Sequence, residues 1–426
     1  MAANLAAAPT ATTSALVGAW GRVLRGVFGV LVLVLAREAF SAAGLRGMYV
    51  LTDAFAKGMS TALVLGAVVF GALAPVSLRA IGFSVISACA YPLLLGRWSV
   101  AVPLYAVVLC ALARARVRLR FQIALALLAW SVLPVCRWVL PSGSFVASFG
   151  IFPAWAGLAY SSVYLLVERS RLARKPTLAE ELFYLLALPR VLHPFFQPIS
   201  PAYLRRQERP DLPFRVVLGG VGLGLSAMAL RALRAWLFHL RPSLPAPLAI
   251  VTGVASTYCI FAQTIFTSVS LFRLMGFDIA SGFRRPFLAC SFAGFFGRWN
   301  GYVREAVMSL FYMPLYMRLR RRLSPKVAAA AAAYVAILLG SFLLNQLLVP
   351  VSTSSSVLGA LRAKTAPLLL LEMVVYWSAI VLPGTLFATK SPAGGARWFQ
   401  TLRFLAVYLA LQSAKWVLYH GGVTKR

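Results

Sequence analysis

Long apolar runs separated by short basic stretches dominate the pattern of this chain. A helix needs about 20 apolar residues to cross a bilayer. Runs of that order lie near 59–78, 80–96, 98–113, 121–140, 144–167, 215–236, 247–272, 327–349, 366–388 and 399–419. An N-terminal apolar run, Val27–Leu35, follows Arg22 and Arg25. By itself that run is too short to span, so it reads as an amphipathic or partial helix. The pattern predicts an all-α polytopic membrane protein with about ten or eleven transmembrane helices in one integral domain, 1–426. Residues 1–20, rich in Ala and Thr, read as a disordered N-terminus without a cleavable signal. No internal repeat of the kind that marks inverted-repeat transporters stands out.

Two regions break the rhythm. In 178–214, Pro189, Pro194, Pro198 and Pro201 prevent a continuous helix. Its aromatics and charges suit a re-entrant or interfacial segment. The second region, 276–316, mixes aromatics with Arg284, Arg285, Arg298, Arg304, Asp278, Glu305 and Asn300 in apolar sequence. Irregular polar backbone survives in a membrane where protein buries it or where it lines a watery cavity. The part after Asn300 reads as an amphipathic helix carrying Arg304 and Glu305.

Composition strengthens the membrane reading. The chain is 61% hydrophobic and 12% charged, with a mean hydropathy of +0.81. A soluble domain carries about 25% charged residues. The net charge of +32 is not accompanied by a nucleic-acid readout motif, so nucleic acid is not an expected partner. The arginines sit between apolar runs, where anionic headgroups and the positive-inside rule account for them. Arg114, Arg116, Arg118 and Arg120 precede one span. Arg169, Arg171, Arg174 and Lys175 follow the next. A short uncharged turn, Pro141–Ser144, joins these two spans, so both basic loops fall on one side, the cytoplasmic one. The Arg318–Arg322 cluster with Lys326 is placed there too. The location expected is a bacterial cytoplasmic (inner) membrane.

Chemistry is sparse. The five cysteines, Cys89, Cys110, Cys136, Cys259 and Cys290, show no CxxC spacing and read as small buried hydrophobes. Three histidines, His193, His239 and His420, are too few for a multi-His metal site. His239, beside Arg241 at a span end, reads as an interfacial anchor. Asn300 can hold a carbonyl or hydroxyl through its amide, or cap the helix that begins near Tyr302. Glu372 lies inside a predicted span, where an acid is costly and functional by default; a buried ion pair is the alternative. Asp278 and Glu305 read as local partners of Arg284, Arg285, Arg298 or Arg304.

The 276–316 stretch resembles the membrane-bound O-acyltransferase (MBOAT) family. The matching residues are Gly276-Phe277, Pro286-Phe287, Ser291, Phe295-Phe296, Arg298-Trp299-Asn300 and Tyr312-Met313-Pro314. A weaker likeness runs from Leu188-Pro189 to Ile199-Ser200. Residues 178–316 are thus the MBOAT-like core. The resemblance implies helices around a central tunnel, with an acyl donor arriving from one face and a hydroxyl acceptor from the other. It implies a catalytic His on a later helix, in a Leu-Trp-His-Gly sequence, acting as general base. That His is absent. The helix spanning about 327–350 offers Ser341, Asn345 and Gln346 instead, and no His lies between Leu240 and Tyr419. Asn345 and Gln346 suit bridges between helices.

The expected activity is transfer of an acyl group from a thioester or lipid to a hydroxyl of a lipid, glycan or small molecule. Asn300, His193 and His420 are the catalytic candidates; His420 sits in Leu418-Tyr419-His420-Gly421. Arg298, Trp299, Tyr312, Glu372, Arg284 and Arg285 are the substrate-binding candidates, since Arg suits phosphate geometry. No bound cofactor and no metal are expected; acyl-CoA, acyl carrier protein or a lipid would be the donor. The expected partners are membrane lipids, that donor and an acceptor alcohol, and a partner protein for export or assembly is compatible with the reading. Two rivals remain: a catalytically inactive relative that binds or passes a lipid or acyl carrier, and an unrelated transporter or lipid flippase.

Overall fold

The computed structural model describes residues 11–42, 58–95, 97–139, 152–189, 200–209, 211–289, 292–299 and 301–337, with a few positions between 339 and 410. The regular structure among them is helical. In chain order the helices are α1 Ala11–Ala42, α2 Gly58–Leu73, α3 Val76–Leu95, α4 Ala101–Arg114, α5 Leu119–Val139, α6 Phe152–Arg171 and α7 Leu178–Leu186. Then come α8 Pro201–Gln207, α9 Phe214–Leu240, α10 Ala246–Leu274, α11 Phe292–Trp299, α12 Gly301–Val307, α13 Met313–Leu319 and α14 Pro325–Ile337.

Among the described residues, four stretches are long and apolar enough to cross a membrane: Gly18–Ala39, Val76–Leu94, Phe214–Ser243 and Pro247–Leu274. Shorter apolar helices are Met59–Leu73, Ala101–Arg114 and Leu119–Leu133. Leu104, Val107 and Val108 on α4, and Leu125, Leu128 and Val132 on α5, turn outward. Contiguous apolar patches of that kind are rare on soluble monomers. Against lipid they are the natural outer surface.

Two expectations at the N-terminus change. The Val27–Leu35 run is not a partial helix; it lies within α1, whose Gly18–Ala39 portion is long enough to span. Residues 11–20 are the first turns of that helix, not part of a disordered tail. Ala and Leu propagate a helix at little cost once it is nucleated, so the apolar run extends backward. The predicted span 366–388 lies outside the described residues, as do most of 399–419 and the second half of 327–349.

The core is built by close helix approach. α9 and α10 form a hairpin through the 3-10 turn Arg241–Ser243. At Gly224 a Cβ would meet Leu33 of α1 at 2.6 Å and the Ser270 hydroxyl at 3.0 Å. Only glycine lets these backbones come together, the usual device where no hydrophobic force separates helix from lipid. α5 and α6 are pinned by reciprocal bonds: the Trp130 indole donates to the Trp155 carbonyl at 2.7 Å, and the Trp155 indole to the Trp130 carbonyl at 3.0 Å. Cys110 and Cys259 are buried as expected, but Cys89 is exposed on α3, where a thiol facing lipid carries no penalty.

The two irregular regions meet. The Arg209 amide donates to the Gly276 carbonyl at 2.7 Å, and the Asp278 amide to the Gln207 carbonyl at 2.8 Å. These bonds form an isolated antiparallel bridge between Glu208 and Phe277. Phe277 is buried beneath it, 5.3 Å from Phe183 of α7 and 5.9 Å from Phe83 of α3 and Phe272 of α10, ring centre to ring centre. Aromatic packing on three helices thus fixes the start of the 276–316 stretch.

Candidate functional site

The site begins with two short helices whose starts are written in local sequence. Thr177 caps α7: its hydroxyl accepts from the Glu180 amide at 3.3 Å, and the Glu180 carboxylate accepts from the Thr177 amide at 2.7 Å. This capping box satisfies two otherwise orphaned donors. Ser200 caps α8 with its hydroxyl alone, accepting from the Tyr203 amide at 3.0 Å ahead of Pro201.

α7 then places Glu181 with no accessible surface. Its two oxygens accept from the Arg114 guanidinium at the end of α4 and from that of Arg169 near the end of α6. Arg169 also donates to the Ala113 and Pro176 carbonyls, at 3.1 and 3.2 Å. The basic ends of α4 and α6 therefore lie together on one side of the bundle.

Across from α7 and α8, the chain from Ala280 to Gly301 folds back on itself. The Gly301 amide donates to the Gly282 carbonyl at 2.9 Å, and the Arg284 amide to the Arg298 carbonyl at 2.8 Å. The Tyr302 hydroxyl donates to the Ala280 carbonyl, and the Ala280 amide donates to the Tyr203 hydroxyl at 3.4 Å. The two tyrosine rings meet edge to face at 6.1 Å. Burial pushes the Tyr302 phenol up, and the neighbouring Tyr203 adds to this, so it is a neutral donor at any physiological pH.

A cavity of about 520 Å³ opens where this fold meets α6. Arg171, Arg284, Arg304 and Glu305 line it, with Gly297, Gly301, Met308, Ser309 and Met313. Met308–Tyr312 is a π-helical turn between α12 and α13, a feature that often accompanies functional sites. Arg171 reaches that turn, donating to the Ser309 carbonyl at 2.8 Å and to its hydroxyl at 3.0 Å. Three guanidinium groups and one carboxylate around a single cavity favour an anionic ligand.

The predicted residues are distributed unevenly. Arg284 lines the cavity. Arg285 is exposed beside it in a left-handed conformation, φ 48°. Arg298 is exposed and donates to the Leu288 carbonyl at 2.9 Å, so it braces the loop. Trp299 closes α11. Tyr312 lies on the π-turn, its ring stacked on Tyr316 at 5.7 Å. Asn300, His193, His420 and Glu372 lie outside the described residues. His239 is exposed in the last turn of α9. One pairing is corrected. Asp278 approaches Arg209 and Arg273, at 3.8 and 4.0 Å, rather than Arg284, Arg285, Arg298 or Arg304. The Glu208–Phe277 bridge carries Asp278 toward α8 and α10. Glu305 does share the cavity with Arg284 and Arg304.

The C-terminal part of the chain touches this region. Tyr408 is buried with Phe295 and Ala289, its ring 5.0 Å from Phe295 and 6.1 Å from Phe287.

The chain matches no protein-family model and no curated protein. The functional reading therefore rests on the geometry of the site together with the resemblance of the 276–316 stretch.

Sequence reasoning assigned Arg171 to topology only and passed over Glu168, Glu181, Ser309 and Tyr203. The chain holds only 10 acids. Any acid at the end of an apolar helix stands out on that count, and this signal marks Glu168 and Glu181.

Proposed function

We propose that the chain is a membrane-bound acyltransferase of the MBOAT type, moving an acyl group from a thioester or lipid donor to a hydroxyl. The observation that carries the reading is the arginine-lined cavity. It is formed by the 276–316 stretch that resembles the family, together with Arg171 from a basic helix end. Arg171, Arg284 and Arg304 would hold the phosphates of an acyl carrier, because a guanidinium matches phosphate oxygens in pairs. Asn300, which directly precedes α12, would position the reacting carbonyl or acceptor. His193 and His420 remain the histidine candidates for a base. Arg298 would shape the loop, and Trp299, Tyr312, Arg285 and Glu372 would line the path. In this reading about ten or eleven helices surround a tunnel, in a bacterial inner membrane with the basic ends cytoplasmic.

A second reading is a relative that binds a lipid or acyl carrier without chemistry. Its support is the lack of any His between Leu240 and Tyr419, where the resemblance demands one. Lipid and glycan profiling separates the two. A strain lacking the protein is compared with one carrying Asn300→Ala. Loss of the same acylated product in both supports the enzyme. A changed phenotype on deletion only, with an intact profile in the Asn300→Ala strain, removes Asn300 from catalysis.

A further inference from the structure

The family resemblance leaves the reaction without its histidine, and one helical turn from the cavity-lining Arg171 an acid, Glu168, carries a buried oxygen that no hydrogen bond among the described residues satisfies. Glu168 lies on α6 three residues before Arg171, about 4.5 Å along the axis and on the same face. Arg171 lines the cavity and holds the π-turn. Tyr164, a turn before Glu168, lies within electrostatic range of Glu168, Arg171 and Glu305, and so links this turn of α6 to α12. One oxygen of Glu168 is held by the Ser200 hydroxyl, which is fixed by its capping bond to the Tyr203 amide. The other, Oε2, is buried without a hydrogen-bond partner among the described residues. A buried carboxylate oxygen left without a partner is costly and calls for an explanation. Burial pushes the Glu168 carboxyl up, and the Ser200 hydroxyl and Arg206 pull it back only in part. A carboxyl raised above its ordinary range holds a proton more readily than a free one, as a proton acceptor must.

We propose that Glu168 is the proton acceptor of this reaction, with Oε2 as the accepting atom and the Ser200 hydroxyl holding the carboxylate in place. The inference rests on the acyltransferase reading above. The acceptor hydroxyl oxygen attacks the thioester carbonyl carbon and its proton passes to Oε2. The new C–O bond forms as the carbonyl becomes an oxyanion. Collapse of that intermediate breaks the C–S bond, and the departing thiolate takes the proton back from Glu168. The carboxylate is regenerated and no other reactant is needed. Arg206 on α8 and Tyr164 on α6 act on Glu168 directly, and Tyr164 in turn meets Arg171 on α6, Tyr184 on α7 and Glu305 on α12.

Native membranes carrying the full chain are incubated with radiolabelled palmitoyl-CoA, with their own lipids and glycans as acceptors, and labelled product is followed against pH. CoA binding is measured in parallel on the purified chain in nanodiscs. The wild type is expected to form product with a rate that rises through a single acid limb. Glu168→Gln is expected to lower the rate by about 10²–10⁴-fold with CoA affinity unchanged. Glu168→Asp is expected to recover part of the rate with a displaced limb. An active wild type with an equally active Glu168→Gln overturns the assignment alone. So does a Glu168→Gln chain that loses CoA binding together with rate, because that marks a structural role. A wild type that binds CoA and forms no labelled product overturns the acyltransferase reading, and the assignment with it.

Discussion

Arg171 donates from one guanidinium nitrogen to both the carbonyl and the hydroxyl of Ser309, at 2.8 and 3.0 Å, across 138 residues of sequence. That contact ties the end of α6 to the π-turn after α12 and closes one wall of the cavity. Arg171 therefore has two tasks, a structural bond and a share of the cavity charge. Arg171→Lys keeps the charge and loses the planar fork; Arg171→Ala loses both. Titration of CoA into the purified chain is expected to show about a tenfold weaker affinity for Arg171→Ala, close to 1.4 kcal/mol, and a smaller loss for Arg171→Lys. Equal affinity in all three chains would place the anion elsewhere. Raising the salt is expected to weaken binding in the wild type more than in Arg171→Ala, because fewer cations remain to be screened.

Glu181 holds two arginines from two helices at a point without accessible surface. Removing the acid leaves Arg169, itself largely buried, without its counter-charge. Breaking a buried pair from one side costs about 3–5 kcal/mol. Glu181→Ala is expected to lower the thermal midpoint of the detergent-solubilised chain sharply, and Glu181→Gln to lower it less, since the amide keeps one hydrogen-bond acceptor. Arg114→Ala is expected to be milder than Arg169→Ala, because Arg114 is more exposed and lies at a helix end. An unchanged midpoint in Glu181→Ala would mean that the two arginines find water instead.

Much of this arrangement was legible in the sequence, for identifiable reasons. The long helices α3, α9 and α10 follow from apolar runs long enough to span. The 276–316 stretch announced itself because arginines and glycines in an apolar chain must line something. Co-location of the basic ends of α4 and α6 followed from the short Pro141–Ser144 turn, which joins the span after the first basic loop to the span before the second. Long-range partners were not legible. Nothing local tells that Asp278 turns toward Arg209 and Arg273, because a backbone bridge to α8 decides it. Arg171 read as a topological charge, since its bond to Ser309 depends on how α6 packs. Val27–Leu35 looked too short because the count stopped at Arg25, whereas the helix runs through Arg22 and Arg25. Their guanidinium groups reach the Ala72 and Leu212 carbonyls, each at 3.1 Å.

The Gly282–Tyr302 contact sets the shape of the fold-back. A Cβ at Gly282 would stand 2.7 Å from the Tyr302 ring, closer than any real contact of that kind. The ring cannot yield easily, because its hydroxyl is bound to the Ala280 carbonyl and its edge rests on Tyr203. Gly282→Ala is expected to cost about 1–3 kcal/mol, in the range of an overpacked core, and to weaken CoA binding by displacing Arg284. Tyr302→Phe keeps the ring and removes one bond, for about 0.5–1.5 kcal/mol. Combining Gly282→Ala with Tyr302→Ala should restore part of the stability lost in Gly282→Ala relative to its own parent, a non-additivity readable in a double-mutant cycle. Strict additivity would show that the two residues do not press on each other.

Glu208 joins the two irregular regions, and its protonation gives the bridge a pH dependence. Burial pushes the carboxyl up; the Arg79 guanidinium, 3.3 Å away, pulls it down but not by enough to restore its ordinary value. With the folded value raised above the unfolded one, the folded chain holds this proton more tightly. The stabilisation is complete below the ordinary glutamate value of about 4.3 and is lost as pH rises through the raised folded value. Glu208→Gln has no such proton to lose. Thermal unfolding of both chains over pH 4 to 8, about the range in which such an acid titrates, isolates the group by difference. The wild type is expected to lose stability relative to Glu208→Gln as pH rises from the lower limit, and then to run parallel to it. A difference that grows in favour of the wild type with rising pH would mean that Arg79 outweighs burial, and that the bridge is held by the ion pair rather than by its backbone bonds.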